Sequence, residues 1–268
     1  MKQIRSLLWG ILFSLLLLTI LPAEEQDSIN FVIAPPPVGY PRIAAGNMDT
    51  SYGGNLIYVK TNVYNADVTI LGASIFGTLQ YCLSDRLAMS GSGGLSGLAG
   101  NKYNLTITQI PLHAGFLFDA VHIAEASLFL FGGAGVNAGI SFMTITVPQL
   151  VPLTNPPQFV DDDTQVTSTT LAYSITAGAQ INWNLGQFIV SPYGVYTYSG
   201  GKSWMAQESS MSYDYPSNSA SISAYSTTIF GFDILYKPLG VSLSSQLQHT
   251  DTYNLISIAL KWLLKPKK

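Results

Sequence analysis

Residues 171–183 read LAYSITAGAQINW, and this segment constrains the fold more than any other part of the chain. Every second residue from Leu171 to Trp183 is apolar or aromatic, whereas the residues between them are small or carry a hydroxyl or amide group. This alternation predicts an extended strand, because successive side chains of a strand point to opposite faces. From Tyr173 to Trp183, a strand tilted by about 40° rises roughly 25 Å. That height matches the lipid-facing band of a transmembrane β-barrel with an aromatic residue near each border.

The composition of the chain also favours a barrel that crosses a membrane. Only 10% of the residues are charged, whereas ordinary soluble domains carry about 25%. Although 47% of the residues are hydrophobic, those beyond the first 23 positions fall into short segments, which excludes membrane-spanning helices. High apolar content in short alternating segments is typical of a transmembrane β-barrel.

Charge and cysteine content exclude two other classes of protein. The formal net charge is -3, and it becomes 10 − 15 = −5 if the first 23 residues, with Lys2 and Arg5, are removed. The sequence has no basic patch of the kind that would indicate a nucleic-acid partner. Cys82 is the only cysteine in the sequence, so the chain has no internal disulfide framework.

The chain is predicted to have four parts. Residues 1–23 have a basic start, an apolar core and a small residue before two acids, which predicts a cleaved signal peptide, with an uncleaved anchor as the alternative. Residues 24–54 form a proline-containing lead-in or an inward-folded segment, because prolines resist helices and central strands. Residues 55–262 form the barrel, and residues 263–268 form a basic tail.

Alternating segments repeat along the barrel region and predict ten antiparallel strands. Short turns rich in Gly, Pro, Asn and Asp alternate with longer polar stretches near 98–102, 144–166 and 200–220. We therefore expect an all-β, up-and-down barrel with short periplasmic turns and long external loops. An even strand count puts both ends on one side, and eight or twelve strands are the alternatives. The predicted strands are 55–64, 68–82, 86–97, 103–118, 123–143, 167–183, 187–199, 221–236, 240–249 and 252–262.

This pattern resembles bacterial outer-membrane β-barrel proteins of the small, porin-like kind. The resemblance rests on the signal peptide, the hairpin around YCLSDRLAMS, the run of strands and the final strand YNLISIALKW, and it covers residues 55–262. It implies a cell outer membrane location, contact with outer-membrane lipid and insertion by the barrel-assembly machinery. One departure is that Trp262 is followed by LLKPKK, whereas such barrels usually end on an aromatic residue. The aromatic residues predicted to anchor the membrane interfaces are Tyr173, Trp183, Tyr236 and Trp262.

A glycine motif at residues 133–138 fits the dinucleotide-binding pattern G-x-G-x-x-A. That pattern requires a helix directly after the glycines, so that its amino terminus meets the pyrophosphate. The following residues, GISFMTITV, are rich in β-branched side chains and poor in helix formers. The sequence therefore favours glycines that permit close packing within a strand, and it predicts no cofactor.

Other polar groups suggest chemistry only weakly. The acidic triplet at 161–163 could bind a divalent cation, but it lacks the ligand spacing of a calcium loop and is better interpreted as a solvated loop. His249 and Asp251 lie at the predicted outer rim, where a His–carboxylate pair could activate water. His113 is expected to face the lumen and His122 to lie in a turn, both in structural roles. No catalytic or metal-binding residue is predicted.

Two charged residues are predicted to lie inside the barrel. Asp233, Lys261 and Arg86 all fall toward the periplasmic ends of their strands, and Asp233 and Lys261 are on the inward side. A lumenal ion pair is favoured over a selectivity ring, since pore constrictions gather more charge.

The remaining inward side chains of segments such as 171–183 are small and uncharged, which predicts a narrow lumen. The favoured function is a non-enzymatic structural or surface-interaction barrel, with an external ligand or partner at loops 144–166 and 200–220. Alternatives are a narrow pore for small solutes, a rim protease or lipid hydrolase, and a soluble secreted β-protein.

Overall fold

The computed structural model describes residues 44–63, 66–123, 125–151, 158–209, 218–250 and 253–264. The predicted signal peptide, most of the lead-in and residues 265–268 lie outside the described residues. Helices long and apolar enough to cross a membrane are absent from the described part of the chain. Its regular elements are β1 (Met48–Val63), β2 (Ala66–Cys82), β3 (Leu87–Gly100), β4 (Thr106–Ile123), β5 (Ala126–Val151), β6 (Gln158–Leu185), β7 (Phe188–Ser209), β8 (Asn218–Tyr236), β9 (Val241–His249) and β10 (Tyr253–Leu264).

The ten strands form one closed antiparallel sheet. Each strand pairs with its neighbour in sequence, and β1 pairs with β10 to complete the ring. The closing ladder runs from Thr50 opposite Leu264 to Thr61 opposite Tyr253. The predicted ten-stranded up-and-down barrel is therefore confirmed. Closure pairs the edges that an open sheet would leave exposed.

The first and last strands are longer than the sequence predicts. β1 begins at Met48, so residues 48–54 belong to the barrel wall rather than to the lead-in. Gly53 and Gly54 interrupt the side-chain alternation there and hide the strand signal. A Cβ at Gly53 would lie 2.4 Å from the carbonyl oxygen of Leu260, so glycine permits the close approach of β10. β10 likewise continues through Leu264, into the predicted tail.

The two faces of the wall differ as the alternation predicts. In β6, Leu171, Tyr173 and Ile175 are exposed on the outside, while the intervening Ala172 and Ser174 are buried in the lumen. The exposed outer side chains of the other strands are mostly large and apolar, including Leu56 and Ile75. This continuous apolar belt is the surface that a lipid bilayer covers.

The stretches 144–166 and 200–220 are not loops over most of their length, which corrects the prediction. β5 continues to Val151, β6 begins at Gln158, β7 continues to Ser209 and β8 begins at Asn218. The residues between them, 152–157 and 210–217, lie outside the described residues. We call the projecting parts the external sheet: residues 143–151 of β5, the parts of β6 and β7 paired alongside, and residues 218–227 of β8.

Proline misled the loop prediction because Pro148 lies on an edge. Pairing of β5 with β4 ends at Phe142, opposite Thr106. Beyond it, the N–H of Thr144 donates to the carbonyl of Tyr103 on that same side. Pro148, four residues further, has the same orientation, so its missing N–H would have pointed away from the β6 ladder. An edge strand tolerates proline at such a position.

Removing β10 should abolish the barrel, because β10 is the partner of both β1 and β9. A chain that ends before Tyr253 should show no fast-migrating compact band when unheated after refolding in detergent. A chain that ends after Leu264 should keep that band, since the closing ladder remains complete. The measurement is electrophoretic mobility with and without heating, and a compact band without β10 would contradict closure.

Candidate functional site

The lumen holds a buried ion pair between β8 and β10. The Nζ of Lys261 lies 2.7 Å from Oδ1 of Asp233, and both side chains are 0% exposed. β9 lies between these two strands, and the hydroxyls of Ser242 and Ser244 donate hydrogen bonds to the same carboxylate oxygen. The structure thus brings the two predicted lumenal charges together. Arg86 lies exposed in the turn between β2 and β3 and is not part of this pair.

The serine partners were not singled out from the sequence, although a signal exists. Ser242 and Ser244 are on the inward side of the alternation in β9. In the sheet register, Ser244 lies opposite Asp233 and Ser242 lies opposite Lys261. The alternation gives the face of each serine, but only the register identifies its neighbours. Four groups therefore satisfy one another in the interior, as buried charges require.

The glycine motif at 133–138 lies inside β5 and makes room for an imidazole ring. A Cβ at Gly133 would lie 2.5 Å from Cε1 of His113, on the neighbouring strand β4. Nε2 of His113 forms a 2.9 Å hydrogen bond with Oγ1 of Thr176, on the other side of β5. The absence of a side chain at Gly133 thus lets His113 reach Thr176. This agrees with the close-packing interpretation of the motif, since no helix follows the glycines.

The external half of the lumen contains a cluster of buried apolar side chains, which the sequence did not reveal. We call this group the lumenal apolar cluster. Its buried members come from eight of the ten strands and from the connection before β4, and Val59 and Leu255 are 0% exposed. At this level the inward side chains are the apolar ones, and the outward residues beside them are often polar, as at Asp67, Thr106 and Gln165. The alternation is therefore reversed relative to the lipid-facing belt. The buried members are Ile57, Val59, Val63, Val68, Ile70, Leu98, Leu105, Ile107, Met143, Val166, Ile222, Tyr225, Tyr253 and Leu255.

The predicted rim pair is not assembled in the described part of the chain. His249 is exposed on the outer face of β9, and its Nδ1 lies 2.7 Å from Oδ1 of Asn254. Asp251 lies outside the described residues. His122 lies within β4, one residue before its end, and not in a turn as the sequence predicted. Its Nδ1 is 3.4 Å from the carboxylate of Asp119, at the opposite end of the barrel.

The acidic triplet belongs to strand β6 rather than to a loop. The carboxylate of Asp163 is exposed and accepts a hydrogen bond of 2.8 Å from Thr146. Among the described residues, no group of three potential metal ligands gathers. The side chains of residues 161 and 162 are outside the described set.

The four aromatic residues predicted as interface anchors all lie on the outer surface. Trp183, Tyr236 and Trp262 lie near the end with the short turns, whereas Tyr173 lies ten residues up β6 from Trp183. The ring of Trp262 stacks on Tyr52 of β1, with centroids 5.7 Å apart. Tyr236 similarly contacts Phe188, with centroids 5.1 Å apart. Their role at the membrane interface stays a prediction.

Solved structures with a similar fold are outer-membrane barrels. The translocator domain of the autotransporter NalP from Neisseria meningitidis matches with a TM-score of 0.56 and 10% identity, over 83% of this chain and 89% of that chain. The outer membrane protease OmpT from Escherichia coli matches with a TM-score of 0.52 and 10% identity, over 81% and 96%. No protein-family model and no curated protein matches the sequence.

Fold and surface together define the class of this protein. The closed antiparallel barrel has the architecture of these structures, and its outer face carries a continuous apolar belt. Closed barrels are the form in which strands cross a lipid bilayer, because every backbone group in the wall can be paired. The chain therefore has the fold of outer-membrane β-barrel proteins and the outer surface of a barrel that spans a lipid bilayer.

Lys261→Met should destabilise the barrel, because it leaves the carboxylate of Asp233 buried without its cation. We expect the free energy of unfolding to fall by about 3–5 kcal/mol, measured by urea titration of the compact gel band. The double variant Asp233→Asn/Lys261→Met should regain most of that loss, since it leaves no charge. Lys237→Met, at a partly exposed lysine of the turn after β8, should change stability by about 0.5 kcal/mol or less. Equal effects of the two lysine substitutions would contradict a structural role for the pair.

Proposed function

We propose that this protein is a sealed, non-enzymatic barrel that presents its external sheet to a partner outside the cell. The observation that carries the proposal is the lumenal apolar cluster. It occupies the lumen between the buried polar groups around Asp233 and the external end of the barrel. If solutes cannot pass through the lumen, the external sheet is the part of the barrel left to act, and its role would be to present a surface to a partner.

The seal is argued from the cost of moving polar solutes past apolar side chains. A hydrated ion that crosses the cluster would lose water contacts, and the apolar side chains there would not replace them. Val59 and Leu255 lie opposite each other in the ladder that closes the barrel, and both are fully buried. Nearer the periplasmic end, Asp233 and Lys261 neutralise each other instead of lining a path with one sign of charge.

The external sheet supports the surface role. β5 and β6 stay paired out to Val151 and Gln158, and β7 and β8 stay paired out to Met205 and Asn218. Two long hairpins held as sheet form a more ordered platform than separate loops of equal length, because strand pairing fixes the backbone. This is the region for which the sequence predicts an external ligand or partner.

A narrow pore is the second candidate, and buried amides favour it. The side chains of Asn55 and Gln248 are inward and 3% and 0% exposed. Their amide groups have no hydrogen-bond partner among the described residues. Buried amides without protein partners are sites where water or a small polar solute binds.

A rim enzyme is less well supported. His249 faces the outside of the wall instead of the lumen, and its neighbour there is the amide of Asn254. The likeness to a protease concerns the fold alone, and fold does not determine activity.

Conductance in planar bilayers tests the seal. We expect the wild-type barrel to show no steady open level, and the double variant Val59→Gly/Leu255→Gly to pass current because it removes two neighbouring side chains from the cluster. Leu56→Gly, on the lipid face of β1, is the matched control and should stay silent. A steady open level from the wild type would overturn the seal in favour of the pore.

A further inference from the structure

Ten residues of β8 have an unpaired edge. β8 runs from Asn218 to Tyr236, but its ladder with β9 covers only Thr228 to Tyr236. Within the described part of the chain, residues 218–227 pair with β7 on one side and with no strand on the other. An unpaired edge offers a row of backbone donors and acceptors to another extended chain.

This edge lacks the features by which proteins usually block such pairing. Proline and charged side chains are the common protection of exposed edges. Residues 218–227 read NSASISAYST and contain neither. The other free edge of the external sheet, on β5, carries Pro148, and its Thr144 already donates to Tyr103. The two edges therefore differ, and that of β8 is the open one.

The register shows which residues direct their backbone toward the free side. The N–H of Lys237, directly after β8, donates to Gln187 beside β7. Residues at even spacing from Lys237 face β7 in the same way, whereas those between them face β9. A shift of register between Tyr225 and Ile222 inserts one residue and reverses the parity beyond it. The backbone groups of Ser226, Ser221 and Ser219 therefore point to the free edge.

We propose that the free edge of β8 binds an extended polypeptide segment of a partner by strand addition. The segment would lie where a longer β9 would lie, and its main chain would pair with β8. This inference rests on the proposed surface function and adds the binding edge and the kind of partner.

A second copy of the chain fits this edge poorly. Symmetric antiparallel pairing of two β8 edges requires a two-fold axis perpendicular to the strands. Such an axis would insert the two copies into the membrane in opposite directions. Two copies inserted in the same direction are related by an axis close to the strand direction, which does not give a regular ladder. A segment whose direction the membrane does not fix has no such restriction.

The surroundings of the edge indicate what the segment should contain. Ile222 and Tyr225 are buried on the inward face next to the edge, whereas Ser219 and Ser221 are exposed on the outward face. Alternate side chains of the added strand would therefore contact an apolar surface and an open polar surface. An uncharged segment of about ten residues with alternating apolar and hydroxyl side chains fits this edge.

Peptide binding to the full-length folded barrel in detergent tests the proposal. The probe is a fluorescein-labelled peptide of alternating threonine and valine with a lysine at each end, and binding is followed by fluorescence anisotropy. We expect saturable binding to the wild type and none of the same peptide with a central proline. Ser221→Pro removes an N–H from the free edge and should weaken binding about tenfold, whereas Ser221→Ala should bind like the wild type.

Ser219→Pro, nearer the hairpin tip, serves if Ser221→Pro loses the compact gel band. Absence of wild-type binding, or wild-type affinity in the proline variants, would overturn the proposal. A concentration-dependent dimer without peptide binding would overturn it in favour of a second copy. If the peptide does not bind and the barrel passes no current, only the strand-addition proposal fails and the seal stands. If the peptide binds and the barrel conducts, only the seal is overturned.

Discussion

The pairing of β1 with β10 is the constraint on which the rest of this structure depends. A strand in lipid has no water to satisfy its backbone, so the wall is stable only when the first strand meets the last. That ladder joins residues about 200 positions apart in sequence, and forming such a contact carries the entropy cost of closing a long loop. Gly53 belongs to this ladder, where its lack of a side chain lets the backbone of β10 approach. The lumen, the lipid-facing belt and the external sheet all exist because the ring is closed.

Two different kinds of interaction stabilise the interior of the barrel. Toward the short turns, charge and hydroxyl groups satisfy one another around Asp233, and His113 reaches across the glycines of β5 to Thr176. Toward the external end, aliphatic and tyrosine side chains pack together. A filled lumen of this kind makes the wall resist collapse, because close-packed interiors have low compressibility.

The sequence predicted those parts of the fold in which apolar and polar residues alternate along a strand. In β6 and β10, large apolar side chains on the lipid-facing side alternate with small or polar lumenal side chains such as Ser174 and Ser257, and the orientation of these segments followed from the residue pattern. The pattern failed where both faces are apolar, as around Ile57 and Val59, and where glycine removes the side chain, as at Gly53. It also misjudged Pro148, because sequence alone does not say whether a strand lies at an edge. The same limit applies to the site: parity placed Asp233 and Lys261 on the inward face, but their contact and the serines of β9 depend on register.

Because the strands end at different heights, the barrel has two unlike sides when it is viewed along the membrane normal. β9 and β10 end at the level of His249 and Tyr253, whereas β5, β6, β7 and β8 continue beyond the rim. The protein therefore has a tall flank and a low flank, separated by the two free edges. A molecule that diffuses along the cell surface would contact the external sheet if it arrives at the tall flank, and the short strands β9 and β10 if it arrives at the low flank. The contact that another surface molecule makes with this barrel thus depends on how the barrel is rotated about the membrane normal. A barrel of uniform height would have no such dependence.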